Sequence, residues 1–169
     1  MTFAARLEQA QQHEIDVRDA LRRRGWAAEL FGQGQLPDLL RSNLRRVDTP
    51  VRWMSDIIAV RPYPESRFLV FVDAKAGKKY QETGNHDIEI SALESAERWL
   101  TFAGENCRYY FVFSDGGVIK PDRIREIGEH GNYRGNGSGT PFLIFPADAC
   151  TPFDGVFGPV IPDHLSGTD

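Results

Sequence analysis

Long hydrophobic runs are missing from this sequence, and none approaches the roughly 20 apolar residues that a bilayer-spanning helix needs. The first residues, MTFAARLEQAQQHE, also lack the apolar core of a secretory signal peptide. We therefore expect a cytoplasmic protein that does not associate with a membrane.

Cysteine and net positive charge are scarce as well. The two cysteines, Cys107 and Cys150, lie far apart and outside any CxxC or Cys/His cluster, which disfavours a zinc site and a disulfide framework. The formal net charge of −4 argues against a protein that coats nucleic acid non-specifically. Any contact with phosphate must therefore come from local groups of cations.

Such groups are present. Arg22–Arg24 suits the C-terminal end of a helix, where cations complement the helix dipole. Farther along, Arg41 and Arg45 lie one helical turn apart and form an edge that could bind phosphates. The candidate phosphate-binding residues are Arg41, Arg45, Arg46, Arg52, Lys78 and Lys79. A solvated helix or loop face is the alternative for each of these runs, and for Arg22–Arg24 it is the interpretation that we prefer.

The overall composition is that of an ordinary soluble globular protein, with 41% hydrophobic and 26% charged residues. A chain of 169 residues can bury a core without disulfides or metals to support it. We predict a single domain over residues 1–150, followed by a Pro- and Gly-rich C-terminal tail over residues 151–169.

A predicted β-hairpin carries the most distinctive chemistry. Its apolar runs, Ile57–Val60 and Phe68–Val72, flank a Pro-containing turn. Antiparallel pairing around that turn places Asp56 directly across from Asp73, and Lys75 follows two residues later on the same face. The mouth of the hairpin therefore combines two carboxylates with an ammonium group.

This arrangement predicts a metal site. Neighbouring carboxylates repel each other and are costly to keep ionised unless a cation lies between them. Oxygen ligands favour Mg²⁺ or Mn²⁺ over zinc, and such an ion keeps water that can be deprotonated. We expect Asp56 and Asp73 to bind the metal, and Lys75 to orient water or to neutralise developing charge.

A further acid faces the predicted core from the first helix. Residues 3–24 have the pattern of an amphipathic helix, and Glu14 lies in phase with its apolar stripe. That stripe consists of Phe3, Leu7, Ala10, Val17 and Leu21. A buried carboxylate must be paired, protonated or bound to a cation. We therefore keep two interpretations of Glu14: a salt bridge to an arginine at the core edge, or a further carboxylate of the metal site.

The remaining patterns predict elements on both sides of the hairpin. These are a strand at Trp26–Phe31, a short helix over 36–46, a polar loop over 76–87 that includes His86, a helix with a capping box at Ser91–Glu94 that ends at Gly104, a strand at Tyr109–Phe113, a short helix from Pro121, a flexible connector over 128–139, and a strand at Phe142–Phe145. The resulting core order, α-β-β-β-α-β, predicts an α/β fold with a mixed sheet flanked by helices.

The residues at the hairpin mouth resemble the PD-(D/E)xK nuclease signature. Asp56 matches its first acid and Asp73-Ala74-Lys75 matches the (D/E)xK part. The string SDIIAV, followed by a strand ending in DAK, is most similar to archaeal Holliday-junction resolvases and RecB-like nucleases. The resemblance implies a restriction-endonuclease-like fold, a metal ligand from the Ala74 carbonyl, and a catalytic role for Glu14, because the first helix supplies such a glutamate in those nucleases.

The resemblance also implies a function. The expected enzyme hydrolyses phosphodiester bonds in nucleic acid, most simply DNA, with Mg²⁺ or Mn²⁺, in a structure-specific or resolvase-like manner; a homodimer is left open. One alternative is a catalytically inactive module of the same fold that binds nucleic acid or a partner protein. Another is a surface ion pair of Asp73 and Lys75, which leaves Asp56 and Glu14 unexplained.

Overall fold

The computed structural model describes residues 2–44, 46–49, 54–62, 64–77, 83–132 and 140–162. The helices are α1 (Phe3–Arg22), α2 (Asp38–Leu44), α3 (Ile90–Ala103), α4 (Pro121–Ile127) and α5 (Phe153–Phe157). The strands are β1 (Ala27–Leu30), β2 (Ile57–Val60), β3 (Leu69–Lys75), β4 (Asn85–Glu89), β5 (Cys107–Phe113), β6 (Gly117–Ile119), β7 (Glu129–Asn132), β8 (Pro141–Pro146) and β9 (Thr151–Pro152). No helix within these ranges is long and apolar enough to cross a membrane.

The strands form two sheets. The six-stranded sheet has the order β1-β2-β3-β5-β6-β9, in which β3 and β5 are parallel and the other neighbours are antiparallel. The smaller sheet has the antiparallel order β4-β8-β7. The predicted α/β fold with a mixed sheet flanked by helices is confirmed. The elements α1, β1, β2, β3, α3 and β5 occur in the predicted core order, with α2 inserted before β2 and β4 before α3.

The predicted hairpin is confirmed together with its register. Strands β2 and β3 pair from Ile57 opposite Val72 to Val60 opposite Leu69. Both strands are rich in β-branched residues, which pack well on a pleated surface. A shift by one residue would turn Val70 and Val72 away from α1 and Asp73 toward it, so the difference between the two faces disfavours other registers.

The core lies on both faces of the larger sheet. On one face α1 buries Val17 and Leu21 against Val70 and Val72 of β3. The other face packs against α3 and the smaller sheet, with Phe71, Tyr109, Phe111 and Trp99 among its buried residues. The prediction that Leu7 belongs to the inward stripe of α1 is wrong, since its side chain is 49% exposed.

The predicted polar loop over 76–87 is wrong at its end, because Asn85–Glu89 forms strand β4 of the smaller sheet. His86 is therefore a buried strand residue, stacked on Phe113 with ring centroids 3.9 Å apart. The predicted capping box is also wrong: α3 begins at Ile90 with Glu89 at its N-cap, so Ser91 lies inside the helix.

The predicted connector over 128–139 is wrong for its first part, where Glu129–Asn132 forms β7 and pairs with β8. The predicted strand at Phe142–Phe145 is confirmed within β8. Pro121 begins α4 as expected, because proline lacks the N–H that the first turn of a helix leaves unpaired.

Residues after 150 take part in the sheet and the core. Strand β9 pairs with β6, and Phe157 of α5 is buried against the α1 face of the sheet. The Phe157 carbonyl accepts hydrogen bonds from Trp26 Nε1 and Arg61 Nη2, each at 2.9 Å. Arg24, predicted to be solvated, instead pairs with Asp154 at 2.6 Å, and its side chain is only 12% exposed. The end of the described chain is thereby attached to the end of α1 and to the residues that flank β1 and β2.

Candidate active site

Asp56 lies at the mouth of the hairpin and is held from two sides. Its carboxylate Oδ2 accepts a hydrogen bond of 2.8 Å from the Ala74 N–H. Its carbonyl accepts a 2.7 Å hydrogen bond from the Phe31 N–H at the end of β1. Continuing the strand register by one residue places Asp56 across from Asp73, as the sequence predicts. The first acid is therefore fixed between the neighbouring strands β1 and β3.

Asp73 and Lys75 project from the same face of β3. The Lys75 ammonium lies 2.8 Å from Asp73 Oδ1. Both side chains are mostly buried, with 16% of Asp73 and 30% of Lys75 exposed. The structure thus brings together the three residues of the predicted motif.

The electrostatic balance of this cluster is unusual. Burial, the charge of Asp73 and the charge of Glu14 together raise the pKa of Asp56 well above its ordinary value. Burial alone would lower the pKa of Lys75, but the neighbouring carboxylates, chiefly Asp73, outweigh it and raise that pKa. Lys75 therefore stays protonated, and its single positive charge does not neutralise the acids around it.

Glu14 reaches this cluster from α1. Burial, and then the charge of Asp73, raise its pKa, while Lys75 partly offsets the rise. No salt bridge joins Glu14 to an arginine or lysine among the described residues. The neighbouring His13 ring nitrogen lies 3.3 Å from the Val112 carbonyl, which ties this turn of α1 to β5. Of the two interpretations of Glu14, this environment favours an acid of the site.

Two further residues of the cluster were not found from the sequence. Tyr109 of β5 is buried and its side chain hydrogen-bonds to Asp73. Gly32, just after β1, is so close to Asp56 that an added Cβ would lie 3.3 Å from Asp56 Oδ1. Each contact depends on a neighbouring strand whose register the sequence does not reveal. A tyrosine in a mostly apolar strand was the available signal for Tyr109, but the adjacent Tyr110 gives the same signal.

The predicted phosphate-binding residues are only partly described. Arg41 pairs with Asp38 on α2, while Arg46 follows that helix and is exposed. Both lie in the segment between Gly32 and Asp56. The two ends of this segment meet, because the N–H groups of Phe31 and Gly32 both donate hydrogen bonds to the Asp56 carbonyl. The predictions for Arg45, Arg52, Lys78 and Lys79 lie outside the described residues.

The donor set can be tested against a metal ion. Among the described residues, no group of three or more His, Cys, Asp or Glu side chains is placed to hold a metal. Two carboxylates are nevertheless a normal protein contribution to Mg²⁺, which keeps several of its waters. The raised pKa of Asp56 reports negative charge that lacks compensation, and glycine at position 32 leaves the flank of its carboxylate uncrowded. The residues therefore fit a hard divalent cation.

The raised pKa of Asp56 predicts a pH dependence of stability in EDTA. The folded state keeps the Asp56 proton at pH values where the unfolded state has lost it, so this contribution is complete below the ordinary pKa and lost as pH rises through the folded-state pKa. Asp56→Asn cannot ionise, and it should be more stable than wild type at pH 8 by on the order of 1 kcal/mol, or about 2–4 °C in Tm.

Thermal or urea unfolding between pH 4 and 8 measures this difference. It should shrink toward pH 4, where Asp56 is protonated in the folded wild-type protein. Asp122→Asn, at an exposed position in the first turn of α4, is the control and should show no such trend. A variant Asp56→Asn that is less stable than wild type at pH 8 would contradict the uncompensated charge.

The mixed sheet and the order of its helices and strands define a restriction-endonuclease-like fold. No protein-family model and no curated protein sequence matches the chain. Among solved structures, the fold is similar to Archaeoglobus fulgidus Hjc, a Holliday junction resolvase from an archaeal hyperthermophile, with a TM-score of 0.52 and 12% identity over 90% of this chain and 98% of Hjc. D212, a nuclease from a fusselovirus, is similar with a TM-score of 0.48 and 9% identity over 93% of this chain and 90% of D212. The predicted resemblance to archaeal resolvases is confirmed in the fold.

Proposed function

We propose that this protein is a Mg²⁺- or Mn²⁺-dependent nuclease that hydrolyses phosphodiester bonds in DNA, with a structure-specific or resolvase-like substrate. The observation that carries the proposal is the cluster at the hairpin mouth, where Asp56, Asp73 and Lys75 meet and the pKa of Asp56 is raised well above its ordinary value. A perturbed acid with a specific charge partner is typical of functional sites. The fold similarity to Hjc supports the same conclusion.

We assign the roles of the residues from their positions in the cluster and from the resemblance. Asp56, Asp73 and the Ala74 carbonyl would hold the cation, which supplies Lewis-acid activation of water and phosphate when bound. Lys75, whose ammonium lies 2.8 Å from Asp73, would present a cation to the negative charge that develops on the phosphate. Glu14 would take a proton from the attacking water, since its raised pKa makes it a better proton acceptor than an ordinary glutamate.

The nucleic acid would lie across this mouth. Arg41 and Arg46 lie in the segment between Gly32 and Asp56, whose two ends meet at the hairpin mouth, and we propose that they contact phosphates next to the scissile bond. Arg45, Arg52, Lys78 and Lys79 are proposed for the same role from their places in the sequence. With a net charge of −4, binding should depend on these local contacts rather than on the whole surface.

A cleavage assay tests the proposal directly. Labelled DNA and RNA substrates, including four-way junctions, flaps, duplexes and single strands, are incubated with the protein in Mg²⁺, Mn²⁺ or EDTA. We expect cleavage of at least one DNA structure with either metal, none in EDTA, and a loss of about 10²–10⁴-fold in Asp56→Asn. Millimolar Mn²⁺ should also raise the Tm of the wild type, because it binds the folded state alone.

Asp122→Asn is again the matched control, since it removes one acid away from the hairpin and should cleave like wild type. Metal-dependent binding of DNA without cleavage would indicate the catalytically inactive module instead. If the Tm does not respond to Mn²⁺ and Asp56→Asn behaves like wild type in every assay, the proposed site is wrong.

A further inference from the structure

We propose that Tyr109 is a positioning residue of the metal site: its hydroxyl holds the Asp73 carboxylate in the orientation that binds the cation. The inference rests on the proposed function, because it assigns a role within the same site. It concerns a residue that touches neither the cation nor the substrate, and that acts only through Asp73.

The parallel pairing of β3 and β5 creates this contact. Phe71 lies opposite Tyr109 and Asp73 lies opposite Phe111, so Tyr109 and Asp73 are diagonal neighbours on one face of the sheet. Tyr109 is 3% exposed and packs within the cluster formed with α3. Its ring is therefore held by apolar neighbours, and the hydroxyl has a fixed position from which it hydrogen-bonds to Asp73.

The hydroxyl acts as the donor in this bond. A phenol has an ordinary pKa of about 10 and keeps its proton at neutral pH, so the hydroxyl is available as a donor. A carboxylate accepts hydrogen bonds, and a charged acceptor makes the bond stronger than one between neutral groups.

Two side chains, Lys75 and Tyr109, thus contact Asp73, and they differ in how firmly their own positions are fixed. Lys75 has a long, rotatable side chain and is 30% exposed, so it can leave Asp73 when a cation or a phosphate enters. Tyr109 has a rigid ring and is buried, so it stays. Partners that orient metal-binding side chains in this way commonly change metal affinity or activity by about 10–100-fold when they are removed.

The experiment compares Tyr109→Phe with Tyr110→Phe in the full chain. Tyr110 is the next residue on the same strand, but its ring faces the other side of the sheet, 5.5 Å from that of Phe157. Mn²⁺ binding is measured without nucleic acid, from the electron paramagnetic resonance signal of the free ion. We expect the Kd for Mn²⁺ to rise by about 10–100-fold in Tyr109→Phe and to stay unchanged in Tyr110→Phe.

A second measurement separates positioning from general stability. At saturating Mn²⁺, single-turnover cleavage by Tyr109→Phe should return close to the wild-type rate, because the variant lacks affinity rather than a reacting group. Replacing Tyr109 with 4-aminophenylalanine restores a donor of similar size and should restore Mn²⁺ affinity. A residue with only a structural role would lower the Tm in EDTA and leave the Mn²⁺ Kd of the folded protein unchanged.

The outcomes distinguish this inference from the proposed function. If the wild type binds Mn²⁺ and cleaves DNA while Tyr109→Phe has the wild-type Kd, only the role of Tyr109 is wrong. If the wild type itself binds no Mn²⁺, or if Asp56→Asn binds it equally well, the metal site fails. Should Tyr109→Phe not fold, the 4-aminophenylalanine variant decides: a folded protein with strongly weakened Mn²⁺ binding would overturn the inference.

Discussion

Replacing Lys75 with alanine is expected to lower single-turnover cleavage by at least about 100-fold, while DNA and Mn²⁺ binding stay close to wild type. The reason is the position of the ammonium group, 2.8 Å from Asp73 at the hairpin mouth, together with its raised pKa. A lysine that stays protonated at neutral pH stabilises negative charge but does not accept a proton. We therefore expect the pH profile of cleavage to show no deprotonation of a lysine near neutrality.

Two further substitutions make the Lys75 test specific. Lys75→Met keeps most of the aliphatic chain and should lose as much activity as Lys75→Ala, which shows that the charge matters rather than packing. Lys120→Ala removes an exposed lysine next to α4 and should cleave like wild type. Lys78→Ala and Lys79→Ala should instead weaken DNA binding and flatten its salt dependence. A wild-type rate in Lys75→Ala would rule out the motif assignment.

Replacing Glu14 with glutamine should cut the single-turnover rate by about 10²–10⁴-fold and leave the protein folded. In EDTA the variant should be at least as stable as wild type. This expectation follows from the raised pKa of Glu14, which shows that its charge is unfavourable in the folded protein, with burial as the main cause.

The competing interpretation of Glu14 predicts the opposite pattern. If Glu14 neutralised a buried arginine, Glu14→Gln would cost on the order of 3–5 kcal/mol of stability and leave activity per folded molecule nearly unchanged. Tm and single-turnover rate, measured on the same preparation, separate the two. Glu8→Gln, one of the exposed acids on α1, is a matched control and should alter neither quantity.

The hairpin and its acids were predictable because the signals are local. Two apolar strands around a Pro-containing turn determine the pairing, and the pairing places Asp56 opposite Asp73 without further information. Glu14 could be placed only by helical phase. That phase holds at Val17 and Leu21 and fails at Leu7, where α1 no longer covers the sheet and the side chain is 49% exposed.

The smaller sheet and Tyr109 could not be predicted because they depend on pairing between distant segments. His86 and Asp87 are polar, so β4 lacks the alternation of a half-buried strand, and its partner β8 begins only at Pro141. For Tyr109, the decisive fact is the parallel register of β3 and β5, which are joined by β4 and α3. Periodicity within one segment carries no information about either relationship.

The attachment of residues 154–161 to the end of α1 has a consequence for folding during synthesis. The Arg24–Asp154 pair spans 130 residues of sequence, and the Phe157 carbonyl accepts hydrogen bonds from both Trp26 and Arg61. At a translation rate of about 5–20 residues per second, the interval between the synthesis of α1 and β1 and that of these partners is on the order of 10 s. Until then, the apolar surface that Phe157 later covers stays open to solvent and to chaperones. The nascent chain therefore cannot complete the packing at the end of α1 until β9 and α5 have emerged.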